Sequence, residues 1–238
     1  MPNLYDILVA KLASHSPVSA EDEAELRALP HRTRELGPDE DLVRQGEMPR
    51  VSVMLIEGEV ARYHVLPTGK RQYLSLHLAG DWPDLQSLFL RRIDHSLCAL
   101  NDGAAVALFQ HDHLRALLAR QPATAQALWR ETLLDAAIFR AAITNNSARS
   151  AKARMAHLFC EIFYRAKRVG LVEGATAALP MHQSQLGDTL GMALVTVNRT
   201  LRELRRTGSV DFKDGRIFVL DWAVLAAIGD FDPDYLKA

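Results

Sequence analysis

The chain has few of the residues that mark secreted or membrane proteins. Two cysteines in 238 residues rule out a disulfide framework and are typical of a reducing compartment. The sequence has no apolar run near the ~20 residues that cross a bilayer. Its first residues also lack the basic and apolar pattern of a signal peptide. We therefore expect a cytoplasmic protein with no membrane partner.

Motifs of catalysis are missing as well. The sequence contains no glycine-rich phosphate loop, no metal-ligand spacing and no supported Ser–His–Asp arrangement. Its aspartates and histidines are scattered without a pattern. We expect neither an enzyme nor a metal site.

A formal net charge of −1 conceals an uneven distribution of charge. Residues 1–144 carry 15 Lys/Arg and 19 Asp/Glu, a net charge of −4, whereas residues 145–219 carry 12 and 6, a net charge of +6. An acidic body followed by a basic segment is typical of a nucleic-acid-binding module on a sensor body. A solvated basic surface would give the same charges.

The N-terminal half has the residue pattern of a β-rich domain. After a short helix predicted over 20–29, strand-like stretches alternate with glycines that lie 12, 11 and 11 residues apart. Short strands at this spacing, separated by glycine turns, indicate a β-sandwich or barrel. The glycines are Gly46, Gly58, Gly69 and Gly80.

From residue 111 the pattern becomes helical, and Pro122 fits the first turn of a long helix. Within this helix, residues suited to packing recur with a seven-residue period, as in the seam between two paired helices. The seam predicts a dimer interface, although packing against its own domain would give the same period. Turn-favouring residues at 145–147 predict a hinge. The predicted interface residues are Trp129, Thr132, Ala136, Phe139 and Ile143.

Most of the functional information lies in residues 181–220. A short helix is predicted over 183–190, and Gly191 permits a sharp turn because glycine adopts positive φ. A second helix is predicted over 194–206, with apolar residues on one face and arginines away from it, as in a helix-turn-helix. The apolar residues are Val197, Leu201 and Leu204, and the arginines are Arg199, Arg202, Arg205 and Arg206.

Two short alternating runs come next, at 209–212 and 216–219. They are joined around Asp214-Gly215, and Asp-Gly between such runs is a strong hairpin signal. A hairpin at this point would be the wing of a winged helix-turn-helix. This order of motifs, a glycine turn followed by an arginine-rich helix and a hairpin, predicts a DNA-binding module.

These motifs, together with Leu78-Ala79-Gly80-Asp81-Trp82, resemble the Crp/Fnr family of transcription regulators over about residues 20–225. The resemblance implies an α+β fold: an N-terminal, jelly-roll-like β-roll of the cyclic-nucleotide-binding type, a long dimerisation helix and a C-terminal winged helix-turn-helix. It places these parts at 1–121, 122–146 and 147–238. It also implies a homodimer that binds double-stranded DNA at inverted-repeat operators and contacts RNA polymerase.

The family's DNA contacts carry over only in part. Arg199 matches the family residue that reaches a base edge or phosphate, and the arginine fork suits guanine. Val195 stands where a family glutamate reads cytosine, so the operator should differ from the best-known family sites. Arg202, Arg205 and Lys213 are expected to contact phosphates. The predicted DNA-binding residues are Ser184, Val195, Thr196, Asn198, Arg199, Arg202, Arg205 and Lys213.

The family's cyclic-nucleotide site needs a glycine–glutamate pair and an arginine. This chain has Pro83-Asp84-Leu85-Gln86 and His95-Ser96 at those places, so cyclic AMP is not the expected signal. Any phosphate bound there through Arg91 or Arg92 would be repelled by Asp84. The candidate effector pocket consists of Trp82, Asp84, Arg91, Arg92, His95 and Ser96.

The cofactor is unknown from the sequence. Cys98 and Cys160 cannot supply the four thiolates of an iron–sulfur sensor and are expected to be ordinary buried residues. Haem remains an alternative through His64, His77 or His95, although no spacing singles out a pair. Two further alternatives stay open: a constitutive regulator whose β-roll is structural, and a module whose helix-turn-helix contacts protein.

Overall fold

A computed structural model describes residues 3–237, which separate into two compact units. The first unit contains residues 3–64 and 76–136, and the second contains 65–75 and 137–237. The helices are α1 (Leu4–Ala13), α2 (Ala20–Arg27), α3 (His111–Arg120), α4 (Pro122–Ala148), α5 (Ala151–Arg168), α6 (Gln183–Leu190), α7 (Leu194–Arg206) and α8 (Trp222–Gly229). The strands are β1 (Arg32–Leu36), β2 (Asp41–Val43), β3 (Val51–Val65), β4 (Arg71–His77), β5 (Ser96–Gln110), β6 (Thr176–Ala178), β7 (Val210–Lys213) and β8 (Arg216–Val219).

The first unit is organised around β5, a 15-residue strand. It pairs antiparallel with β1, β2 and β3, and the sheet order is β1-β5-β3-β4 with β2 also on β5. Long apolar runs in β3 and β5 are buried, and Val53 lies opposite Leu108. Burial of both faces explains why these strands are apolar in runs and do not alternate strictly.

The four regularly spaced glycines all have positive φ, between +79° and +92°. Three of them lie in turns or loops, as predicted: Gly46, Gly69 and Gly80. The prediction of a turn at Gly58 is wrong. This glycine lies inside β3 at a bulge, where a Cβ atom would meet the Gly103 carbonyl oxygen at 2.4 Å. Glycine is needed there because β3 and β5 approach closely.

Helices cover part of this sheet. Helix α1 was not predicted; its Leu4, Leu8 and Leu12 are buried at four-residue spacing, the pattern of one helix face. They join a core cluster in which the Trp82 and Phe109 rings lie 5.0 Å apart. Helix α2 begins after Ser19, whose side chain forms a capping box with Asp22.

The long helix begins at Pro122, as predicted, but the predicted interruption at 145–147 is wrong. Helix α4 continues to Ala148, and Asn145 is buried and donates to the Arg154 carbonyl at 3.1 Å. The next helix begins after Ser150, whose hydroxyl accepts from the Ala153 N–H. The turn-favouring residues therefore remain helical, and the Asn145 amide N–H has a partner outside the helix.

The second unit contains α5–α8 and a three-stranded sheet of order β6-β8-β7. Its core includes Phe159 of α5, which stacks on Phe212 of β7 at 5.5 Å. Helix α6, Gly191 and helix α7 follow the predicted boundaries, and Gly191 has a φ of +62°. Among the described residues, no helix has both the length and the apolarity needed to cross a membrane.

The turn between α6 and α7 depends on a second glycine. A Cβ atom at Gly187 would lie 2.6 Å from the Met192 carbonyl oxygen, and Gly187 itself accepts a hydrogen bond from the Met192 N–H at 2.8 Å. The two helices can therefore approach only without a side chain at this position.

We predict that Gly187→Ala lowers the free energy of unfolding of the second unit by about 1–3 kcal/mol, because the backbone must shift to admit the methyl group. Denaturant titration would measure the loss. Gly37→Ala is the control, since a Cβ there meets only Glu40 Oε2, at 3.7 Å. Equal stability of the two variants would contradict the prediction.

Candidate nucleic-acid interface

Helix α7 has two chemically different faces. Val197, Leu201 and Leu204 are buried in the second unit, which fixes the helix on α6 and the wing. The opposite face carries Val195, 80% exposed, and Leu194 is 50% exposed at the first residue of the helix. Apolar side chains at these positions could contact the methyl group of thymine.

The predicted DNA-binding residues lie at the surface of α6, α7 and the wing, apart from Thr196, which is half-buried. Asn198 donates its amide to the Leu194 carbonyl at 3.0 Å, one turn earlier. Ser184 is exposed in the first turn of α6, where free N–H groups attract anions. These positions suit contacts to DNA, and the individual roles stay predictions.

Two arginines of α7 have acidic neighbours. Arg199 Nε lies 3.7 Å from Glu203 Oε1. Arg205 donates from Nε and Nη2 to Asp211 Oδ1 at 2.8 and 2.6 Å. Both pairs are exposed and therefore weak, so each guanidinium can exchange its carboxylate for a phosphate or a base edge.

The wing is the antiparallel pair β7–β8. Asp214 and Gly215 both have positive φ, +50° and +67°, as a two-residue type I′ turn requires. The turn places Lys213 at the tip, with its side chain 68% exposed. Strand β6, which pairs with β8 through three residues, was not predicted.

A segment that packs on α6 was also not predicted from the sequence. Within the second unit, Lys70 Nζ lies 2.5 Å from Asp188 Oδ1, and Gln185 donates to the Tyr73 hydroxyl at 3.3 Å. Gln72 donates to the Asp188 carbonyl. No local pattern could have revealed this contact, because its partners are more than 100 residues apart.

The six residues of the candidate effector pocket divide into two groups. Arg91 and Arg92 are exposed, and Arg92 donates to the Gly46 carbonyl at 2.8 Å. The other four are buried: Trp82, Asp84, His95 and Ser96. The structure does not bring the two exposed arginines into the interior beside Asp84, and the pocket stays a prediction.

The buried members of that group have perturbed ionisation. Burial raises the pKa of Asp84 to about 7, against the lowering effect of the Val53 N–H, which donates to Oδ1 at 2.6 Å, and of Arg62. Burial and Arg62 lower the pKa of His95, although Asp94 opposes them. Both groups therefore favour their neutral forms relative to the same groups in water.

The histidines and cysteines considered as cofactor ligands have different surroundings in the structure. His64 contacts the Asp94 carbonyl at 2.9 Å, whereas His77 Nδ1 lies 3.9 Å from Asp81. Cys98 and Cys160 are buried, as expected. Over the described part of the chain, no three His, Cys, Asp or Glu side chains are grouped so as to hold a metal ion.

A helix-turn-helix with a basic, exposed second helix and an antiparallel wing defines a winged helix-turn-helix DNA-binding protein. The model of the Crp-like helix-turn-helix domain matches residues 153–228, and that of the cyclic nucleotide-binding domain matches residues 33–121. The chain belongs to the Crp/Fnr family of transcription regulators.

The chain is similar to several regulators along most of its length. It is 27% identical over 232 residues to the nitrogen fixation regulation protein FixK of Bradyrhizobium diazoefficiens, covering 95% of both chains. It is 26% identical over 215 residues to the transcriptional activatory protein AadR of Rhodopseudomonas palustris, covering 90% of this chain and 87% of AadR. The structure of FixK2 from Bradyrhizobium japonicum matches with a TM-score of 0.75 at 24% identity, covering 84% and 98%.

These comparisons confirm the predicted family and the predicted fold class, with a β-sheet domain of the cyclic-nucleotide-binding type and a helix-turn-helix. They also confirm a transcription regulator, not an enzyme. The predicted domain boundaries and contact residues stay predictions.

We predict a pH dependence of stability that comes from Asp84. Its usual pKa is 3.8 and its folded pKa is about 7, so between these values the folded chain holds a proton that the unfolded chain releases. Stability is therefore lost as the pH rises from about 4 to about 7. Asp84→Asn should make the unfolding free energy less dependent on pH over this range, as measured by urea titration. An unchanged dependence in the variant would contradict the assignment.

Proposed function

We propose that this chain is a sequence-specific transcription regulator that binds DNA as a homodimer in the cytoplasm. Each protomer inserts α7 into the major groove of one half of an inverted repeat, and the two half-sites lie about one DNA turn (~34 Å) apart. The observation that carries this proposal is the exposed face of α7, which combines two apolar side chains with four arginines.

The proposed roles follow from position along α7. Arg199 reads a guanine through its paired donors, while Val195 contacts a thymine methyl group in place of the cytosine contact of a glutamate. Thr196 and Asn198 lie beside them. Contacts to phosphates come from Arg202, Arg205, Lys213 and Ser184, and these contacts position the protein without reading sequence.

The dimer forms along α4. Trp129 and Ile143 are each 68% exposed, and Leu133, next to the predicted seam, is 56% exposed. Pairing with a second α4 would cover these side chains by knobs-into-holes packing. The dimer determines the distance between the two α7 helices and therefore the spacing of the half-sites. RNA polymerase is the expected protein partner.

Selection of bound fragments from a random DNA library, with wild type and Arg199→Ala in parallel, tests the proposal. The wild type should enrich an inverted repeat. Arg199→Ala should lose about 1–3 kcal/mol of specific binding and relax the sequence at one position of each half-site.

Arg202→Ala is the matched control, because it removes an arginine expected to contact phosphate. It should weaken binding to all sequences and reduce the salt slope by about one. An equal loss on every sequence for Arg199→Ala would refute base reading by Arg199. A wild type that enriches no sequence would refute the proposed function.

We predict that Phe139→Asp converts the dimer to monomers, because a charge would be buried in an apolar seam without a partner. Sedimentation velocity measures the change. Thr144→Asp is the control, since residue 144 is exposed and lies off the seam. A Phe139→Asp protein that sediments as the wild type does would exclude the α4 interface.

A further inference from the structure

The largest side chain in the fully buried interior is charged. Arg62 on β3 is 1% exposed, and it heads the fully buried side chains by volume. Removing a charge from water is costly unless it is paired and hydrogen-bonded. A guanidinium at this place in a β-sheet interior therefore needs partners fixed by the fold.

Arg62 joins three segments of the first unit. Nε donates to the Pro83 carbonyl at 2.7 Å, and Nη2 donates to the same oxygen. Nη1 donates to Asp135 Oδ2 at 2.6 Å. One side chain thus links β3, the loop at 82–84 and the part of α4 that precedes Ala136.

The charge of Arg62 is balanced mainly from α4. Asp84 also lies close to the guanidinium, but burial favours its neutral form. His95, the other titratable neighbour, would add a like charge if protonated. Asp135, whose side chain is 25% exposed, accepts from the guanidinium at Oδ2 and is the acidic partner on α4.

We propose that Arg62 acts as a built-in effector, holding α4 through Asp135 in the arrangement that reads both half-sites, without a bound small molecule. This inference rests on the proposed function and favours its constitutive form. The guanidinium is already held without a ligand, by the Asp135 carboxylate and the Pro83 carbonyl. In some proteins a buried ionic group fixes one arrangement of helices at a cost in stability, and this is the role proposed for the Arg62–Asp135 pair.

The test compares Asp135→Asn with the wild type on two duplexes: the selected two-half-site operator and a single half-site. Asparagine keeps the size of the side chain but removes the charge, at a partly exposed position that tolerates it. If the pair sets the arrangement of the dimer, affinity for the operator should fall about five- to a hundredfold. Affinity for the single half-site should not change, because each α7 is intact.

Two controls accompany Asp135→Asn. Glu25→Gln makes the same chemical change in the exposed pair with Arg120, at 2.9 Å, and should leave both affinities unchanged. Asp135→Glu retains the charge and should recover part of the operator affinity. Saturating cyclic AMP or cyclic GMP should leave the wild-type affinity unchanged.

Three results would overturn the inference. Asp135→Asn could bind both duplexes like the wild type, or lose affinity for both equally, which would indicate general structural damage. Either nucleotide could raise the wild-type affinity more than about fivefold, which would indicate an external effector. A wild type that binds neither duplex would instead defeat the proposed function itself.

Discussion

A buried guanidinium must find its hydrogen-bond partners within the fold, and this constraint connects the parts of the first unit. Arg62 is satisfied by the Pro83 carbonyl and by the carboxylate of Asp135. The hydrogen bonds of Arg62 therefore fix both the backbone of the loop at 82–84 and the position of α4 along the sheet. If either partner moved, a charge would remain unpaired in a medium of low dielectric constant. Burial in the same medium raises the pKa of Asp84 to about 7, although the nearby Arg62 charge lowers it.

Helix α7 is positioned by a different interaction. Apolar packing fixes one face of this helix and leaves the other face exposed. Because α7 is anchored by Val197, Leu201 and Leu204, its exposed side chains keep a fixed order along the helix. The carboxylates of Glu203 and Asp211 lie beside two of its arginines. Exposed pairs of this kind contribute little to stability, and a phosphate can pair with a guanidinium in the same forked geometry as a carboxylate.

The elements that were predicted correctly are those whose signal is local. The bounds of α6, α7 and the wing strands follow from periodicity, a left-handed Gly191 and an Asp-Gly turn, all of which act within a few residues. The errors concern Gly58 and residues 145–147, where a distant contact decides the outcome. Strand β5 approaches Gly58, and Asn145 bonds to the Arg154 carbonyl, so a bulge and a continuous helix replace the expected turn and hinge.

The residue pattern alone was sufficient for the winged helix-turn-helix, because this depends on helical period and turn chemistry. The family was indicated by the resemblance of these motifs to known regulators, and the DNA contacts carried over from it stay predictions. It could not show that Arg62 lies in the interior, that Asp135 is its partner, or that residues 65–75 pack on α6. Those features depend on which side chains meet across long stretches of chain. An arginine in a strand looks the same in sequence whether it faces water or is buried, and only the packing around it decides which.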